Sequence, residues 1–185
     1  MLRTQFEEDL LNLHNQFYEM GMLVSKAIHN SVQAYVKHDR RLAEEVIAQD
    51  EMINQLEVRL EKKSFEMIAL QQPVTTDLRR IITVMKASSD LERMGDHAVS
   101  IAKSTIRVKG ENRIPEIEKE MKDMSDYVKK MVDNVLIAYV KTDKDDAKLI
   151  AKMDDQVNEW YSNIYYQTIE AMKNDSELIV MGTEY

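Results

Sequence analysis

The chain has 185 residues, a formal net charge of −8, 44% apolar and 31% charged residues: material for one good core or two small ones, and the wrong charge for a nucleic-acid footprint. With 4 Gly, 2 Pro and no Cys, long helices are favoured, while disulfides, thiol catalysis and thiolate metal sites are excluded. No apolar run approaches a membrane span, and residues 1–9 are acidic rather than signal-like, so a cytoplasmic address without membrane insertion is expected.

The first predicted helix carries Phe6, Leu10, Leu13, Phe17, Met20, Val24, Ala27, Ser31 and Ala34. Steps of four and three keep these on one face, as in a bundle. The basic run Lys37-His38-Asp39-Arg40-Arg41 reads as solvated surface at a helix junction, with Asp39 as N-cap of the second helix. That helix buries Leu42, Val46, Ile53, Leu56, Leu60 and Met67, and stops at Gln71-Gln72 because Pro73 biases its predecessor away from helix. Thr75 or Thr76 is expected to cap the third helix, with Leu78, Ile81, Met85, Ser88, Leu91, Gly95, Ala98 and Ala102 on its apolar face. The small residues of its later half let a neighbouring helix approach closely.

Lys109-Gly110-Glu111-Asn112 breaks the pattern and marks the expected boundary between units 1–108 and 113–185. Pro115 suits the first turn of a fourth helix, with Glu116 and Glu118 at its positive end. Its stripe, Ile117, Met121, Met124, Val128, Met131, Val135 and Ala138, lies 104 positions after members of the first. The same shift relates Ala34-Tyr35-Val36-Lys37-His38-Asp39 to Ala138-Tyr139-Val140-Lys141-Thr142-Asp143, and Asp50 and Asn54 to Asp154 and Asn158. Matching polar residues and a shared turn indicate a tandem duplication. The first unit has three helices. The second has two, then Ser176 as an expected cap and the start of a third. A two-helix unit leaves an apolar face uncovered, so either the chain is truncated or that face is covered by a partner or the first unit, truncation being preferred. The expected class is all-α: tandem antiparallel three-helix bundles, the second lacking most of its third helix.

Ser88-Ser89-Asp90-Leu91-Glu92-Arg93-Met94-Gly95-Asp96-His97-Ala98 is the most unusual segment. Glu92 and Asp96 share one helix face and repel each other; Arg93 or a metal ion would offset that. An antiparallel hairpin about Pro73 sets Asp50 opposite Asp96 and Asn54 opposite Glu92, bringing four oxygen-bearing side chains to one height. Glu57 follows on the face of Asn54. Asp77 lies about 22 Å from Glu92 along the helix, and His97 is turned about 100° from Asp96. An all-oxygen set suits hard cations such as Fe(III), Mg, Mn or Ca. The alternative is an ordinary solvated acidic face. His14, His29 and His38 read as structural or surface residues.

At Asp90-Leu91-Glu92-Arg93-Met94-Gly95-Asp96-His97-Ala98, followed by Ile101-Ala102, the chain resembles the PhoU family of bacterial phosphate-transport regulators. Asp50, Ile53, Asn54 and Leu56-Glu57 in the second helix, and the run from Pro73 to Arg79, support the match over essentially the whole chain. The resemblance implies two three-helix bundles related by a pseudo-two-fold, each with a Glu-x-x-x-Asp signature at which some members bind iron or other metal clusters. It also implies a repressor of the phosphate-starvation response that limits phosphate uptake. Such a protein links the transporter's ATPase subunit to a membrane-bound sensor histidine kinase, and many members are homodimers. Here Glu92, Asp96, Asp50 and Asn54 are the expected metal residues, with iron, manganese, zinc or magnesium as the ion and no organic cofactor. Residues 180–185 look like the lead-in to a second signature that the chain does not reach. Ser100 stands where the family often has Asn.

Two other functions compete. A ferritin-like metal-dependent oxidase needs Glu-x-x-His pairs, and the sequence has none. A purely structural bundle explains the heptads but not the polar repeats. No Gly-rich phosphate cradle suggests nucleotide binding, and the expectation is a protein without catalytic activity.

Overall fold

The computed structural model describes residues 2–108 and 113–185, so the expected boundary at residues 109–112 lies outside the described residues. The fold is all-α, with helices α1 (Leu2–Lys37), α2 (Arg40–Gln71), α3 (Thr75–Arg107), α4 (Pro115–Lys141), α5 (Lys144–Lys152), α6 (Asp154–Asn174) and α7 (Ile179–Gly182). A 3-10 turn at Ser176–Leu178 precedes α7. The helices form two tandem three-helix-like bundles, and the third helix of the second is the short α7.

In the first bundle the apolar stripes meet as their spacing requires. Leu13, Met20, Val24, Leu60, Ile81 and Val84 are wholly buried. Ser31 and Ser88 sit in the same interior and donate to the carbonyls of Ile28 and Met85 at 2.8 and 3.0 Å, which satisfies their hydroxyls within their own helices.

The duplication shows in the turns. After α1 the amide of Asp39 donates to Ala34 O at 2.9 Å and that of His38 to Tyr35 O at 3.2 Å. After α4 the amide of Asp143 donates to Ala138 O at 2.8 Å and that of Thr142 to Tyr139 O at 3.0 Å. Both are Schellman closures. Each places a non-glycine residue in the left-handed region, His38 at φ 52° and Thr142 at φ 55°. Each is followed by an Asp whose side chain caps the next helix, Asp39 through Leu42 N and Asp143 through Asp145 N and Asp146 N. A β-branched Thr is strained at positive φ. Thr142→Gly is therefore expected to raise stability by about 1 kcal/mol, read from the urea midpoint at unchanged slope.

Other local expectations are corrected. Neither Thr75 nor Thr76 caps α3: the helix starts after extended Val74, which makes no side-chain cap bond. The carbonyl of Val74 instead accepts from Asp77 N and Leu78 N at 2.9 and 3.2 Å. Asp175, not Ser176, caps the 3-10 turn, through Glu177 N at 2.9 Å. The second helix of the second unit is divided at Met153, where Met153 N to Ile150 O and Gln156 N to Met153 O replace the regular ladder for one turn. Arg40 and Arg41 lie exposed and pair along their own helix with Glu44 and Glu45, as a solvated basic run should.

α4 runs antiparallel along α1. Ser25 donates to Asp133 at 2.6 Å, and the Tyr139 hydroxyl meets His14 Nδ1 at the far end. Val132 and Leu136 of α4 join the core of the first bundle. The expected α4 stripe is thus partly wrong: Val135 is 42% exposed, while Val132 and Leu136 are buried. A helix that serves both its own bundle and a neighbour carries two apolar stripes, and spacing alone does not say which is covered. The 104-residue shift carries the pair His14 and Tyr139 onto Glu118 and Tyr35. Glu118 indeed lies close enough to raise the pKa of the Tyr35 phenol, which burial already pushes up. The α1–α4 seam therefore lies on a pseudo-two-fold axis relating the units.

A second, smaller core gathers Tyr35, Ile117, Met121, Ile164 and Met181. Glu184 clasps Arg107, with contacts of 2.7 and 3.1 Å, and the Tyr185 hydroxyl accepts from Ile114 N at 2.9 Å. These contacts tie residues 184–185 to the end of α3 and the start of α4.

Candidate functional site

The hairpin of α2 and α3 has the register that its turn at Pro73 requires. Gly95 of α3 packs on α2 so closely that a Cβ there would lie 3.3 Å from Ile53 Cδ1 and 3.7 Å from Asp50 Oδ1. A glycine here lets the α3 backbone come down beside Asp50, between Glu92 and Asp96 along the chain.

On α2, Asn54 Nδ2 donates to Asp50 Oδ2 at 3.3 Å. The other two oxygens, Asp50 Oδ1 and Asn54 Oδ1, are buried and unpartnered among the described residues. On α3, Glu92 is half-buried and Asp96 exposed. Burial, more than any other influence, holds the Asp50 carboxyl above its ordinary range; the Asn54 bond opposes this, and the charge of Asp96 adds to it. Glu92 is likewise raised by burial, then by the charges of Asp96, Glu57 and Asp50. Four acidic side chains on two helices therefore act on one another.

The cations near this face do not neutralise it. Arg93 turns to Asp90 at 3.7 Å, both side chains largely exposed, and is the last and opposing influence on Glu92. Lys103 lowers Asp50 slightly. Sequence reasoning missed Lys103, although its place seven residues after Asp96 puts it on the same helix face. His97 is exposed. Asp77 lies at the start of α3 and pairs with Arg80 at 3.5 Å. In the second unit Asn158 repeats the bond to Asp154 at 3.1 Å, but both residues are exposed.

Among the described residues, no group of three or more His, Cys, Asp or Glu is arranged to hold a metal ion. What the site offers is two buried unpartnered oxygens, Asp50 Oδ1 and Asn54 Oδ1, near two further carboxylates, with the Asn54 amide donor already spent on Asp50. A cation suits it; a free phosphate anion does not.

Burial, reinforced by the neighbouring carboxylates, makes the charge of Glu92 costly in the fold. Glu92 ionises less readily in the folded chain than in the unfolded one. Its charge therefore weakens folding above the folded pKa and does nothing below the ordinary value of 4.5. Glu92→Gln is expected to stabilise the metal-free protein at pH 7, with the gain disappearing as pH falls below 4.5. Urea unfolding at the two pH values reads this directly.

Residues 17–105 and 121–182 match the family described as PhoU domain. A phosphate-specific transport system accessory protein PhoU homolog of Clostridium acetobutylicum is 38% identical over 100% of this chain and 84% of that protein. The phosphate transport system regulatory protein PhoU of Streptococcus pneumoniae superposes with a TM-score of 0.90 at 33% identity, covering 97% of this chain and 84% of that one. PhoU from Pseudomonas aeruginosa gives 0.92 at 31%, covering 97% and 86%.

Proposed function

Because this chain belongs to the PhoU family, we propose that it is a negative regulator of phosphate uptake and of phosphate-starvation signalling. The observation that carries this is the extent of the match, which spans both units in sequence and in backbone. The similar proteins are described as an accessory and a regulatory protein of phosphate transport, and in this reading the chain acts without catalysis. In this reading it is a cytoplasmic adaptor, a homodimer, with helical faces docked on the transporter's ATPase subunit and on a membrane-bound sensor histidine kinase. No helix among the described residues is long and apolar enough to cross a membrane.

The same reading gives the carboxylate face a cation: iron, manganese, zinc or magnesium held by Asp50, Asn54, Glu92 and Asp96. Two buried unpartnered oxygens and mutually repelling carboxylates support it. A bound ion would draw the exposed Asp96 inward and remove the repulsion at Asp50 and Glu92.

Two experiments test the proposal. In a host lacking its own regulator of this kind, expression of the chain is expected to lower a phosphate-starvation reporter in rich phosphate. An unchanged reporter, with the protein present and folded, sinks the regulatory reading. For the cation, protein purified without chelators is assayed by elemental mass spectrometry beside the double variant Glu92→Ala and Asp96→Ala. Stoichiometric metal in the first and none in the second is the expected result. Metal in neither, even after loading with excess ions, removes the cation and leaves the adaptor.

A further inference from the structure

We draw no further inference here: the strongest candidate, the apolar groove of about 700 Å³ bounded by α1, α3, α4 and α6 and lined by Val128, Tyr161, Tyr165 and Met172, is an uncovered helix face, and nothing in the structure shows what covers it.

Discussion

Met20→Ala is expected to lower stability by about 2–5 kcal/mol, whereas Met124→Ala, at the duplicated position, is expected to cost about 1 kcal/mol or less. Met20 is wholly buried within the first bundle, so truncation there leaves a cavity that rigid helices cannot close. Met124 carries the same side chain at the same place in the repeat, yet it is half-buried and lines the open groove between α4 and α6. Little packing is lost where one side of the residue already faces open space. Urea denaturation of the two variants, compared at constant slope, measures the difference. Equal losses would mean that the second bundle is packed as tightly as the first.

Gly21→Val is expected to cost about 3 kcal/mol, and Leu136→Ala in the same chain is expected to recover part of it. Gly21 lies where α1 meets α4. A Cβ there would fall 2.5 and 2.6 Å from the two terminal methyl carbons of Leu136. Leu136 is 2% exposed, so its methyls have little room to move aside. A branched side chain at residue 21 must push the helices apart, straining Ser25 against Asp133 and His14 against Tyr139. Leu136→Ala alone leaves a void and costs about 2–3 kcal/mol; combined with Gly21→Val it makes room for the new methyls. The coupling energy from the four proteins is the readout. Strict additivity would show that these residues do not compete for one space.

The helical class, the first three helices and the duplication were legible because each rests on signals that local chemistry decides. The stripe from Leu10 to Ala34, the Asp39 cap and the stop before Pro73 all stand in the structure. The register that sets Gly95 beside Asp50 follows from the same hairpin. What spacing did not reveal depends on neighbours. Val135 and Leu136 are adjacent and both apolar, and only the presence of α1 decides that Leu136 is the buried one. The start of α3 was misread because the Val74 carbonyl does what a threonine hydroxyl was expected to do. At the carboxylate face, Arg93 looked like a counter-charge in sequence. It pairs with Asp90 three residues back instead, a choice set by side-chain geometry on the exposed surface.

The pseudo-two-fold along α1 and α4 has a consequence for how the two halves can change. In a homodimer built from a single gene, every substitution at such a contact appears twice, and both ends must tolerate it. Here the copies are fused, and the contact has already diverged. Gly21 faces Leu136 at one end, while the repeat places Ser125 and Val32 at the other, both buried. His14 meets Tyr139, where the other end has Glu118 near Tyr35. One end carries an imidazole whose pKa burial lowers, the other a carboxylate clasped by Arg113 and Tyr185. Fusion has released each half from its twin's constraints, so either end can be retuned by mutation while its counterpart keeps its own chemistry.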